Sequence, residues 1–231
     1  MLKKKFLRFL TIIFAFNAFA FAGSILNPGF ENVIAGSKFD TPANWNAVNY
    51  AAAISVLDMG SSAFPGNKSL WKVNAKTGLT PHEGSKFALL SNGPGDVYFG
   101  KLSQNISVNA GDVISGAYFF GTCDVFFESY DYAYIRLIAP SGSGLSNIEL
   151  VYINMLAVGV YGSTNGWQTF ESEPLPFSGT YTLECGVYDG YDSIYETYFA
   201  VDGLHITPVP EPATLMLLAT GFFFYRRKRK I

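Results

Sequence analysis

Helical periodicity is what this chain lacks most conspicuously. Between Gly23 and Thr207 no stretch sustains apolar residues at i, i+3 and i+4, which argues against a helical bundle. Histidine and cysteine are nearly absent: His82, His205, Cys123 and Cys185 are the full complement in 231 residues. Cysteines that far apart do not form the close pairs a zinc site needs. His82-Glu83 lacks the second histidine of an HExxH helix, and there is no G-x-S-x-G elbow and no phosphate-binding loop. These gaps leave little basis for an enzyme. The carboxylates could in principle supply an acid and a base for glycoside hydrolysis, but any acidic domain offers as much.

Positive charge is also missing from the middle of the chain. Of 16 basic residues only seven lie between Gly23 and Thr207, against 17 of the 18 acidic ones, so this stretch carries about −10 while the whole chain reads −2. A body this acidic makes a poor partner for nucleic acid, whose affinity comes from Lys and Arg on phosphates. It suits a hard cation better.

The missing positive charge sits at the ends. Lys3, Lys4, Lys5 and Arg8 precede an apolar run from Phe9 to Phe19, and Ala20-Phe21-Ala22 follows with the small-x-small pattern of a cleavage site. Residues 1–22 therefore read as a signal peptide, removed by signal peptidase on export. Export in turn permits a disulfide between Cys123 and Cys185. At the other end come Pro208, Pro210 and Pro212, then 13 mostly apolar residues from Ala213 to Tyr225, then Arg226, Arg227, Lys228, Arg229 and Lys230. Thirteen residues fall short of the roughly 20 of an ordinary spanning helix. The basic run nonetheless assigns the terminus to the cytoplasm and the body to the outside, in agreement with the leader.

Pro210-Glu211-Pro212, a short hydrophobic segment and a basic terminus together resemble the PEP-CTERM sorting signal of Gram-negative bacteria. The resemblance covers Val209–Ile231. It implies processing by exosortase, a membrane-embedded cysteine peptidase, a transient membrane anchor, and association with a system that makes extracellular polysaccharide. A permanent C-terminal anchor is the simpler alternative.

The body, residues 23–207 between the leader and the sorting segment 208–231, reads as strands. Runs rich in β-branched and aromatic residues recur at 86–91, 101–108, 112–120, 132–139, 149–156, 167–172, 179–189 and 197–206, separated by turn sequences such as NGPGD, NAGD and PSGSG. In LSQNISV, Leu102, Gln104, Ile106 and Val108 share one face and Ser103, Asn105 and Ser107 the other. The expected fold is all-β, a two-sheet sandwich or jelly roll.

SILNPGFEN (24–32) with PANWN (42–46), TPHEGSKFALLS (80–91), LSQNISVNAGD (102–112) and FAVDGLHI (199–206) resemble segments of galactose-binding-like jelly rolls, including carbohydrate-binding modules. That resemblance implies a structural Ca2+ joining the first and last strands, with Glu31 and Asp202 as its side-chain ligands. The alternative makes Glu31 a surface acid and Asp202 a turn former.

Two segments interleave carboxylates with aromatic rings: CDVFFESYDYAY (123–134) and YDGYDSIYETY (188–198). Sugar sites need flat rings for C–H faces and a few polar groups for hydroxyls. Tyr188, Tyr191, Tyr195, Trp45 and Trp71 are the candidate platforms, although Tyr and Phe are also ordinary strand residues. The sequence thus points to an exported, exosortase-sorted surface or matrix protein with a non-catalytic role in an extracellular polysaccharide layer. A module binding one specific glycan is the alternative, and a polysaccharide-acting enzyme the third reading.

Overall fold

A computed structural model of the chain describes residues 23–37, 39–57, 78–93, 98–124, 131–190 and 195–208. The leader and the sorting segment beyond Pro208 lie outside the described residues. Within them the strands are β1 (Asn46–Ile54), β2 (Phe87–Ser91), β3 (Phe99–Val108), β4 (Val113–Thr122), β5 (Tyr132–Ile138), β6 (Ile148–Asn154), β7 (Gln168–Glu171), β8 (Gly179–Tyr188) and β9 (Thr197–Thr207). The single helical turn α1 (Met155–Val158) follows β6, where the Asn154 side chain accepts from the Leu156 amide and ends the strand two residues before its apolar pattern does.

All pairings are antiparallel, and they form two sheets, β6-β5-β8-β3-β1 and β1-β2-β9-β4-β7. The expected all-β sandwich is what the chain forms. Strand β1 belongs to both sheets: Asn46–Asn49 pair with β3 and Tyr50–Ile54 with β2. The bend falls at Asn49, which adopts a left-handed φ of 59°, a conformation that asparagine tolerates better than most residues. Opposite it sits Gly100, where a Cβ would come within 2.3 Å of the Ser91 carbonyl oxygen and 2.5 Å of that of Tyr50. Only glycine lets the two sheets meet so closely. The sequence NAVNYAAAI reads poorly as a strand because Ala and Asn are depleted in sheets, and β1 is the strand that pattern reading overlooks.

The inter-sheet core takes alternate residues from each strand: Leu102, Ile106 and Val108 from β3, Ala133, Ile135 and Leu137 from β5, Tyr181, Leu183, Cys185 and Val187 from β8, and Phe199 and Val201 from β9. Gln104, on the inward face of β3, is reached by the N-terminal segment. It accepts from the Leu26 amide and donates to the carbonyls of Leu26 and Asn44. The second sheet also carries an apolar outer face, built from Ala52, Leu57, Phe87, Leu89, Phe119, Cys123 and Ala200. All five β2 residues are therefore buried.

This arrangement overturns the expected disulfide. Cys123 packs on the outer face of the second sheet and Cys185 between the sheets, so the two buried thiols lie in different layers and are not joined to each other. Burial raises the Cys185 thiol far above its ordinary range.

Candidate functional site

The outer face of the first sheet carries a row of aromatic rings. Strand alternation sends Phe99, Tyr132, Tyr134 and Tyr188 away from the core that Leu102, Ile135 and Val187 enter. The register then aligns them: Tyr188 lies opposite Phe99 on β3 and Tyr132 on β5, and Tyr134 lies opposite Tyr152 on β6. Ring centroids step from Tyr152 to Tyr132 by 5.7 Å, to Tyr188 by 5.4 Å and to Phe99 by 5.2 Å, with interplanar angles of 26°, 7° and 14°. Those separations are those of offset-stacked rings. Tyr152 is 52% exposed and forms the open end of the row.

Beside the rings lies a compact polar group. The Glu184 Oε1 accepts from the Tyr134 hydroxyl at 2.8 Å and from Arg136 at 2.7 Å, and Oε2 pairs with Lys101 at 3.1 Å. Burial alone would raise the Glu184 carboxyl, but the bonds from Arg136, Tyr134 and Lys101 outweigh it and hold the group below its ordinary value. The Arg136 guanidinium stacks over the Tyr134 ring at 4.1 Å. Burial, and then the Glu184 carboxylate, push the Tyr134 hydroxyl upward, so it remains a donor.

At the end of the sandwich next to this row, the two acidic-aromatic segments converge in a buried polar knot. Asp131 accepts from the Asn92 side chain (3.1 Å), the Thr197 hydroxyl and the Gly190 amide (3.2 Å). Thr197 also bonds Thr122 through its hydroxyl, and its amide donates to Asn92. Burial, with the negative charges of Asp189 and Asp124 adding to it, lifts the Asp131 carboxyl to about 7.

Glu31 and Asp202 hold the same loop, the one before β2, at different amides. Asp202 is fully buried. Its Oδ2 accepts from the amides of His82 (2.8 Å) and Glu83 (2.9 Å), and its Oδ1 from that of Gly203 (2.8 Å). Glu31 accepts from the Ser85 amide (2.7 Å), the Ser85 hydroxyl (2.5 Å) and the Lys86 amide (3.2 Å). A Cβ at Gly29 would lie 3.8 Å from Asp202 Oδ1 and 4.0 Å from the aliphatic Cγ of Glu31, whose carboxylate turns to Ser85 and Lys86. The hard oxygens of the two acids suit calcium in kind, and Asp202 Oδ1, with a single amide donor, retains a lone pair.

The expected sugar platforms fare differently. Trp45 is a core residue, 4% exposed, tilted against Phe30 at 5.2 Å with its indole N–H on the Asn27 carbonyl, so it presents no ring to a ligand. Tyr195 packs beside the outer apolar face of the second sheet, away from Tyr188. Tyr188 lies in the row, flanked on neighbouring strands by Phe99 and Tyr132. Trp71 and Tyr191 lie outside the described residues. The row's other members, Phe99, Tyr132, Tyr134 and Tyr152, with Lys101, Arg136 and Glu184, escaped sequence reading. The alternation in YAYIR (132–136) was the available signal, but it needed the register to become a site.

Residues 208–230 match the PEP-CTERM protein-sorting motif. The tail carries a protein-sorting motif. No curated protein sequence matches the chain. Among solved structures, it is similar to TmCBM61 in complex with beta-1,4-galactotriose at 14% identity, covering 80% of this chain and 97% of that one, with a TM-score of 0.43. The K2 cleaved adhesin domain of Lys-gingipain gives 16% identity, 79% and 97% coverage and a TM-score of 0.45. The C-terminal family 22 carbohydrate-binding module of Clostridium thermocellum Xyn10B gives 14%, 79% and 96%, and 0.36. These are likenesses of sandwich shape at low identity, and no ligand is carried over from them.

Proposed function

We propose that this PEP-CTERM protein is a non-catalytic component of an extracellular polysaccharide layer, and that it holds glycan along the aromatic row of its first sheet. The observation that carries this reading is the row itself. Three stacking steps across β6, β5, β8 and β3 run beside a charged donor–acceptor group, the pairing of apolar rings with few polar groups that sugar sites require. A line crossing four strands suits an extended chain rather than a single sugar. Glu184, the carboxylate beside the row, is engaged by Tyr134, Arg136 and Lys101, which suits holding those side chains in place for binding.

Sorting supplies the setting. Signal peptidase removes residues 1–22. Exosortase acts at Pro210-Glu211-Pro212 while Ala213–Tyr225 lies in the membrane and Arg226–Lys230 stays on the cytoplasmic side. The cell surface or matrix of a Gram-negative bacterium is the destination. A calcium ion joining Glu31 and Asp202 would add a hard-cation tie between the first segment and the last strand.

The decisive experiment presents the exported protein to a glycan array, with a Tyr188→Ala, Tyr152→Ala double variant alongside. Binding to a restricted set of polysaccharides, lost in the variant, is the expected result. No binding to any glycan by the wild-type protein would defeat the reading and leave a matrix scaffold.

A further inference from the structure

The second sheet has an open cleft of about 440 Å³ on its outer side, lined by His82, Glu83, Ser115, Thr169, Glu171 and His205 over a floor that includes Gly116, Phe170 and Gly203. Two glycines form part of its floor. The β4–β9 register slips between Ser115 and Ala117, where Gly203 and Leu204 of β9 face the single Gly116 of β4, and bulges of this kind re-aim side chains beside sites. A Cβ on Gly116 would approach Leu204 Cδ2 to 2.9 Å and Phe170 Cε1 to 3.0 Å. One on Gly203, whose φ is 59°, would approach Glu83 Oε1 to 2.6 Å. Ser115 lies directly opposite Glu171 on β7 and His205 on β9, so carboxylate, hydroxyl and imidazole line up across three strands. Glu83 Oε1 and His205 Nε2 are 3.0 Å apart, and the loop bearing Glu83 is pinned by its amides to Asp202.

We infer that this cleft is a second ligand site, and that it takes a sugar unit bearing a protonated amine, such as a glucosamine residue of a de-acetylated polysaccharide. Its size falls among small-molecule sites. Its ionisable lining consists of two carboxylates and two histidines, with no Lys or Arg. Glu171 is exposed and makes no ion pair among the described residues. The hydroxyls of Ser115 and Thr169 offer donors as well as acceptors to a sugar's own hydroxyls. The cleft and the aromatic row occupy opposite sheets, so each is tested independently of the other. A chain engaged at both would join two polysaccharide strands.

The test is calorimetric titration of the exported protein with a glucosamine oligomer, its N-acetylated counterpart and trilysine. The glucosamine oligomer should bind at least tenfold more tightly than the acetylated one. Glu171→Gln should weaken it about fivefold or more, and Glu173→Gln, at an exposed carboxylate outside the cleft, should leave it unchanged. Equal affinity for the two sugars, no measurable binding, indifference to Glu171→Gln, or tighter capture of trilysine would each overturn the inference. Loss of binding in Tyr188→Ala would reassign the amine to the aromatic row.

Discussion

Glu31, from the first segment of the sandwich, and Asp202, from its last strand, grip the same loop by its backbone amides. Asp202 takes His82 and Glu83, and Glu31 takes Ser85 and Lys86. Replacing Asp202 by Ala strands buried N–H donors and opens a gap beneath the loop, and should cost on the order of 3 kcal/mol in denaturant unfolding. Calcium at this spot predicts more. Chelator should then lower the Tm of the wild-type protein and leave Asp202→Asn unmoved. An unchanged wild-type Tm would leave the amide clasp without a metal.

Tyr188 sits between two rings, so its removal should be felt twice. Tyr188→Ala should lose about 1–3 kcal/mol of stability through the contacts with Phe99 and Tyr132, and at least tenfold in glycan affinity. Tyr188→Phe should retain the stacking and most of the stability. A Tyr188→Ala protein of wild-type stability would mean the stack contributes nothing to the fold.

The knot around Asp131 predicts a pH dependence of a particular sign. Its carboxyl is raised in the folded state to about 7 from the ordinary 3.8, so the folded protein prefers the protonated form. That contribution is complete below about pH 4, declines as pH rises toward 7, and is gone above it. Asp131→Asn cannot titrate and should flatten the stability profile between pH 4 and 7, whatever it does to absolute stability. An identical slope in wild type and variant would place the titration elsewhere.

Cys123 and Cys185 should behave as buried thiols. A thiol reagent should label neither in the native protein and two per chain after denaturation, and reductant should leave the Tm unchanged. A Tm that falls with reductant would restore the disulfide.

Cleavage at the sorting motif predicts the mass of the mature protein. Intact mass spectrometry of the surface protein should lack both residues 1–22 and the segment after Pro212. A product retaining Ala213–Ile231 would indicate a permanent anchor.

Strand periodicity was legible because eight of the nine described strands carry β-branched or aromatic residues between glycine-rich turns. β1 was not, because its Ala and Asn are selected for crowding where two sheets meet rather than for strand propensity. The tail motif was readable because its mechanism is local: proline, apolar run and charge need no tertiary partner. The aromatic row was not readable, since Phe99, Tyr132, Tyr152 and Tyr188 become neighbours only through the β3–β8, β5–β8 and β5–β6 registers. Trp45 misled for the converse reason. A tryptophan beside a turn looks like a platform until Phe30 is seen to bury it. Cysteine pairing failed similarly, because the face each strand turns inward decides which thiols can meet.

The positions of the two ends set which way the domain points. Thr207 pairs with Val113, and Gly23 lies against Ser107, so both ends of the sandwich emerge at one pole. β3 and β8 run from that pole to Phe99 and Tyr188 at the other, about 30 Å away at the usual rise of a strand. Whatever follows residue 207, the aromatic row lies at the end of the domain away from it. The cleft at Ser115, Glu171 and His205 lies near the base. A polymer laid down close to the cell would meet one site, and a polymer arriving from outside would meet the other.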